Sequence, residues 1–241
     1  MTEPALSGSG RTGAWQEATV VQIRVETARA KTFRLALTQP LPYRAGQHYV
    51  LRLTAPDGYQ ASRSYSVASA PDDSGHIELT VERLEEGEVS SFLHDGVVVG
   101  DQLEVRGPIG GWFVWPGTTP AVLIGGGSGI VPLMAMLRLA RASGRQDLVR
   151  LVVSARTPDD LLYADELPGP ESTIVYTRTT PPGWLRPPGR LAAGDIPTPL
   201  DPDATGYVCG SSGFADAATA LLTAAGMAAE RIRVERFGPT G

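Results

Sequence analysis

The run Ala121-Val122-Leu123-Ile124-Gly125-Gly126-Gly127-Ser128-Gly129-Ile130-Val131-Pro132 decides how the second half of this chain is read. Four consecutive apolar residues suit a strand buried on both faces, the signature of a parallel sheet. The glycines that follow form a turn, and residues 130–142 have the composition of a helix. Glycines between a strand and a helix N-terminus let backbone approach a pyrophosphate, and the free N–H groups and partial positive charge of the helix end attract an anion. Gly126, Gly127, Ser128 and Gly129 are therefore candidate dinucleotide contacts, with Ser128 able to add a hydroxyl donor. The alternative is a tight strand-to-helix turn that holds no ligand.

Outward from this run, the same alternation continues. Residues 148–154 read as a second apolar strand, followed by a short helix ending near Leu167. Residues 173–177 and 206–209 read as further strands, 214–225 as a helix, and 232–234 as a last strand. Strands alternating with helices imply parallel βαβ units. Residues 181–202 are crowded with Pro and Gly and read as an ordered connection with little regular structure. The second strand ends in Ser154-Ala155-Arg156 and carries no acidic residue to bond a ribose 2′-hydroxyl. An arginine there suits a 2′-phosphate, with Arg178 past the third strand as a helper, so NADP is favoured over NAD. Solvated surface charge is the alternative for both arginines. Cys209-Gly210-Ser211 repeats the strand-to-helix logic at a fourth strand, which in a doubly wound sheet lines the ligand crevice.

Upstream of Pro116 the pattern is different. Residues 33–37, 49–53, 77–81 and 102–105 alternate apolar and polar as half-buried strands do, and Pro, Gly and Asp punctuate them. Many short strands at this spacing predict an antiparallel barrel or sandwich. Residues 89–94 read as its one helical turn. In Arg63-Ser64-Tyr65-Ser66, a strand would put Arg63 and Tyr65 on one face and Ser66 on the other. Such a strand can grip a phosphate with Arg63, lay Tyr65 on a planar ring and bring Ser66 to the ring's other side; ordinary cross-strand pairing explains the motif equally. Gly87-Glu88-Val89-Ser90-Ser91 opens the helix and offers either a second phosphate site or a plain N-cap.

The composition excludes several classes. The chain has 241 residues, 42% of them hydrophobic and 20% charged, enough for two modest domains. A net charge of −5 gives no basic field for nucleic acid or an anionic membrane. Cys209 is the single cysteine, so neither an internal disulfide, nor a structural zinc site, nor a four-ligand iron–sulfur cluster can be built from this chain's thiols; no metal site is expected. No signal-peptide pattern and no uninterrupted apolar span are present, which makes the cytoplasm the expected location.

Taken in order, Arg63-Ser64-Tyr65-Ser66, residues 87–90, Gly107-Pro108-Ile109-Gly110, residues 125–132 and Cys209-Gly210 resemble the ferredoxin–NADP reductase superfamily over nearly the whole chain from Trp15. Residues 1–14, rich in Ser and Gly and without periodicity, read as a flexible tail. The resemblance implies an N-terminal antiparallel β-barrel binding flavin over 15–116 and a C-terminal α/β parallel-sheet NAD(P)-binding domain over 117–241. It implies FAD rather than FMN, with NADPH favoured over NADH as electron donor. Arg63 would hold the flavin pyrophosphate, Tyr65 would stack on the isoalloxazine, and Ser64 and Ser66 would border it, with Ser66 near the reacting N5. Val81, Glu82, Gly87, Val89 and Ser90 would line the rest of the site. Gly126, Gly127, Ser128, Gly129 and Gly210 would face the dinucleotide, Ser154, Arg156 and Arg178 its 2′-phosphate, Tyr163 its adenine and Cys209 its nicotinamide. Cys209 has no expected nucleophilic role. Phe237 would shield the flavin, and Glu235 would carry a proton.

Two departures stand out: Ser211 follows Cys209-Gly210 where the family often has Pro, and Phe237 is followed by Gly238-Pro239-Thr240-Gly241 where plant-type members end on an aromatic. The expected protein is a monomer that hands electrons to a separate acceptor: a ferredoxin, a Rieske oxygenase, a cytochrome P450 system or a molybdenum enzyme. A flavin reductase feeding a monooxygenase and a non-catalytic nucleotide-binding subunit are the alternatives. His48, His76 and His94 are expected to be surface or packing residues.

Overall fold

A computed structural model describes residues 13–237; the tail expected over residues 1–14 falls almost wholly outside them, as do residues 238–241. The first half forms strands β1 (Gln16–Thr27), β2 (Ala30–Leu37), β3 (His48–Thr54), β4 (Gln60–Ser66), β5 (His76–Glu82) and β6 (Gln102–Ile109), with helix α1 (Glu88–Asp95) between the last two. They make one six-stranded sheet in the order β4-β3-β6-β1-β2-β5, antiparallel throughout. An antiparallel bridge between Val67 and Leu79, with the Ala68 N–H donating to the Glu78 carbonyl, joins the two outer strands and closes the sheet into a barrel. Closure removes the exposed strand edges that would otherwise invite pairing with other chains. Phe33, Leu35, Tyr49, Leu51, Leu79 and Leu93 fill its core.

The second half forms β7 (Ala121–Gly126), α2 (Val131–Ala142), β8 (Val149–Ala155), β9 (Ser172–Tyr176), β10 (Thr205–Gly210), α3 (Ser212–Ala224) and β11 (Ile232–Arg236). Its sheet is parallel in the order β11-β10-β7-β8-β9. β7 and β8 are buried at nearly every position, as a sheet covered on both faces requires. One apolar layer holds α2 against one face, and a second holds α3 against the other. The chain leaves β7 toward β8 on one side and later returns to β10 on the other, so the sheet's switch point lies between β7 and β10. That is where doubly wound sheets bind ligands, at the carboxyl ends of the strands.

The short helix expected to end near Leu167 is absent. A three-residue 3-10 turn (Pro158–Asp160) and irregular chain take its place. Leu161, Leu162 and Tyr163 are consecutive buried residues, and the Tyr163 hydroxyl is bonded to Thr80 of β5, so tertiary contacts hold this stretch out of a helix. They plug the seam between the two sheets. Tyr163 adopts a left-handed backbone (φ 57°) that only tertiary contacts can hold in place.

The seam is also polar. Arg138 of α2 donates through Nη1 to the Ala68 carbonyl and to Glu78 Oε2, both at 2.9 Å, and through Nε and Nη2 to both carboxylate oxygens of Glu166. Burial works to raise the Glu166 carboxyl, but the guanidinium outweighs it and holds it below the ordinary carboxylate range. Beside this cluster the Tyr163 hydroxyl meets Thr80 Oγ1 at 2.6 Å, and Thr80 in turn pairs with Thr32.

Candidate functional site

The expected dinucleotide contacts meet at the switch point. In the parallel register Cys209 lies beside Gly125, so the ends of β10 and β7 are adjacent. The Gly-rich turn winds as a 3-10 turn (Gly127–Ile130) directly into α2, with Pro132 in the first helical turn. Each glycine has its own reason. A Cβ on Gly129 would fall onto the Cys209 carbonyl, and one on Gly126 would sit 2.8 Å from the Phe214 ring. Gly127 has φ +56° and open space before it. The turn therefore presents backbone to the crevice, as pyrophosphate binding needs.

On the barrel side, β4 carries Arg63, Tyr65 and Ser66 as expected. Arg63 is exposed, Tyr65 half-buried and Ser66 buried. The β3–β4 register sets Arg63 opposite Leu51, Tyr65 opposite Tyr49 and Ser66 opposite His48. Gly87 is the N-cap of α1 and has no side-chain cap, leaving helix N–H groups unclaimed by a side chain. Two expectations change here. The Ser90 hydroxyl already donates to the Gly87 carbonyl and accepts from the Leu84 N–H, both at 3.1 Å, so it braces the loop instead of standing free for a phosphate. Val81 and Val89 are packed in the barrel core, so their side chains are turned away from a ligand; Glu82 is exposed at the end of β5.

The two halves share the site. The Gly127–Ile130 turn packs against β5, and Ala68, two residues past Ser66, shares a buried cluster with Ile130, Cys209 and the half-buried Phe237. The Phe237 N–H donates to the Gly210 carbonyl at 2.9 Å, which fixes the aromatic at the end of β10. Cys209 is fully buried, and burial together with nearby Glu235 pushes its thiol far above the ordinary range. A neutral thiol is a soft wall and a poor nucleophile. Glu235 sits opposite Cys209 in the β10–β11 register, and burial pushes its carboxyl up to about 7. Its folded value lies above the unfolded one, so the folded state binds the extra proton. Stability from this group is lost as pH rises from the ordinary carboxylate range to about 7 and is flat beyond. Glu235→Gln should remove that decline, so melting curves from pH 5 to 8 will run flatter than the wild type's; parallel curves would refute this.

Residues 17–114 match the oxidoreductase FAD-binding domain family and residues 123–220 the oxidoreductase NAD-binding domain family. The aromatic O-demethylase reductase subunit of Amycolatopsis sp. (strain ATCC 39116 / 75iv2) is 30% identical over 92% of this chain and 69% of its own length. The chain belongs to the ferredoxin–NADP reductase superfamily. The propane 2-monooxygenase reductase component of Rhodococcus jostii (strain RHA1) is 31% identical over 90% of the chain, and the chain spans 62% of that relative's length. Among solved structures, the FAD/NAD-binding domain of nitric oxide dioxygenase from Vibrio cholerae O1 biovar El Tor superposes with a TM-score of 0.83 at 26% identity, covering 95% of this chain and all of that one. No helix among the described residues is long and apolar enough to cross a membrane.

Within this superfamily member the expected adenine contact fails. Tyr163 is 2% exposed and its hydroxyl is taken by Thr80, so it belongs to the seam and cannot face a nucleotide. Ser154 is buried at the end of β8, while Arg156 and Arg178 are exposed and neighbouring: the Arg178 N–H donates to the Arg156 carbonyl at 2.9 Å. His48, expected to be a surface or packing residue, is half-buried. It faces Ser66 across the β3–β4 pair, and burial lowers its pKa, favouring the neutral ring. Only the strand register, which places two residues 18 positions apart side by side, reveals it.

Proposed function

We propose that this chain is an FAD-dependent NAD(P)H reductase that passes electrons to a separate protein acceptor, with its barrel domain over residues 15–116 and its nucleotide domain over 117–241. The observation that carries the reading is that the glycine turn after β7 packs against β5 and, through Ile130, shares a buried cluster with Ala68, two residues past Arg63-Ser64-Tyr65-Ser66 of β4. FAD would supply the redox chemistry, since a flavin takes two electrons as hydride and releases them singly. The residues present fit it: an exposed guanidinium at Arg63, a half-buried phenol at Tyr65, and a helix N-terminus at Gly87 without a side-chain cap.

Arg63 and the first N–H groups of α1 would hold the pyrophosphate, and Tyr65 would flank the ring. Ser66, with His48 paired beside it, would border the ring. The glycine turn and Gly210 hold the nucleotide's phosphates, with Cys209 and Phe237 as apolar walls that exclude water and so suppress side reactions. Glu235, poised near neutrality, exchanges a proton beside them. Arg156, aided by Arg178, takes a 2′-phosphate, which makes NADPH the preferred donor. The relatives are named as reductase components of a monooxygenase and an O-demethylase, which favours an oxygenase-type partner for this chain.

Purified with FAD, the protein should be yellow and should oxidise NADPH with ferricyanide as acceptor; a colourless protein that takes up no added FAD would overturn the proposal. Arg156→Ala should raise the KM for NADPH about tenfold or more, the loss of one charge-assisted bond, and change that for NADH little. Equal effects on both would remove the NADPH preference.

A further inference from the structure

With Tyr163 buried in the seam, the adenine end of the nucleotide needs another wall. Beyond β9 the chain enters a Pro- and Gly-rich loop whose shape is tightly held. Arg186 binds both carboxylate oxygens of Asp195, at 2.6 and 2.7 Å, and donates to the carbonyls of Pro187 and Arg190. The Gly189 N–H donates back to the carbonyl of Tyr176, the last residue of β9. This clamp presents Trp184, which is 39% exposed, and Leu185, which is 99% exposed.

Trp184 is not loose. Its ring lies 5.3 Å from that of Tyr176, crossing at 71°, and Tyr176 is itself buried in the core. In an edge-to-face pair, whichever ring gives its edge, Tyr176 covers at most one face of the indole. The indole is thus held in orientation while part of its surface stays open to solvent. Tyr176 pairs with Ala155 in the β8–β9 register, so Arg156 stands one residue past one strand end and Arg178 two residues past the other, on the strand whose last residue packs against the indole. At about 3.3 Å per residue, Arg178 starts within roughly 7 Å of Tyr176. A fixed indole with two exposed guanidiniums on the adjoining strand ends matches a planar base joined to a phosphorylated ribose.

We propose that Trp184 is the stacking platform for the adenine ring of the pyridine nucleotide, and that it sets affinity for the adenosine half, leaving the nicotinamide half to the glycine turn. The proposal rests on the reading of the chain as an NAD(P)H reductase, and deepens it. A fixed aromatic pays little entropy on binding, and base–aromatic stacking typically changes affinity by about tenfold or more when the aromatic is removed.

The test is calorimetric titration of the flavin-loaded protein with adenosine 2′,5′-bisphosphate and, separately, with nicotinamide mononucleotide. Trp184→Ala should weaken the adenosine ligand about tenfold or more, with the mononucleotide unaffected, and Trp184→Phe should recover most of the loss. Trp184→Leu keeps an apolar side chain against Tyr176 without a π-face and guards against a folding defect; it should bind as weakly as the alanine variant. In turnover the Trp184→Ala and Trp184→Leu losses should fall on the KM for NADPH and spare kcat. Unchanged adenosine affinity in the leucine variant, or equal weakening of both ligands, would overturn the proposal. A wild-type protein that binds the bisphosphate but oxidises no NADPH would sink the reductase reading and leave the platform standing, so the two failures are distinguishable.

Discussion

Gly129→Ala should cut kcat/KM for NADPH about 100-fold while the protein still purifies yellow. The added Cβ would land on the backbone carbonyl of Cys209 and lies 2.7 Å from the Gly210 N. No side-chain rotation relieves a clash with backbone, so the glycine turn and the end of β10 must move apart. Overpacking of this kind costs about 1–3 kcal/mol of stability, which a two-domain protein of this size can absorb. Function is the more sensitive measure, because a displacement near 1 Å at a reacting site can cost about 100-fold in rate. Steady-state kinetics beside the visible spectrum checks it. Flavin loss accompanying the rate loss would mean that the crevice and the barrel site cannot be perturbed separately, and near-normal kcat/KM would mean that the turn does not border the nucleotide.

The largest stability effect should come from Arg138→Ala. Arg138 is 15% exposed in its side chain and neutralises Glu78, which is 13% exposed, along with Glu166. Removing the cation leaves Glu78 facing a buried seam with only its longer contact to Arg24, at 3.6 Å. Breaking a buried pair from one side costs about 3 kcal/mol or more, equivalent to a fall in Tm of roughly 9 °C for a chain of this length. Because Arg138 also holds the Ala68 carbonyl on the barrel, the melt should broaden or split as the halves uncouple. Arg138→Lys should recover only part of the loss, since an ammonium cannot reproduce the forked contact to Glu166. A variant melting within about 2–3 °C of wild type would, by the same conversion, cap the cluster's contribution near 1 kcal/mol and overturn the prediction.

Much of this architecture was legible in the residues. The apolar run of β7, the glycines after it and the change of periodicity near Pro116 were enough to separate a parallel sheet from an antiparallel one. The glycine turn into α2 follows from the same local signals, because a glycine between strand and helix has a physical purpose that composition reveals. What escaped was everything set by distant parts of the chain. The stretch Asp159-Asp160-Leu161-Leu162-Tyr163 has helix-forming content, but its apolar residues are consumed by the seam, so tertiary burial overrode local preference. β1 was hidden for a related reason: beyond Val20 its register slips at a bulge, and Arg24 and Glu26 feed the polar seam instead of an apolar core. The Tyr163–Thr80 bond, the His48–Ser66 pairing and the Trp184–Tyr176 ring contact could not be read locally, because each joins two separate parts of the chain.

The seam also bears on how this scaffold can be recombined. Its contacts are specific pairs with one member in each half: Glu78 with Arg138, and Thr80 with Tyr163. A chimera that joins this barrel to a relative's nucleotide half at residues 116–120 would inherit one member of each pair. Unless the donor supplies both partners, such a hybrid leaves Glu78 with only its longer contact to Arg24, and Thr80 with only Thr32, in its interior. Exchange of nucleotide specificity by domain grafting should therefore be designed around those four residues together, with the crossover point a secondary choice.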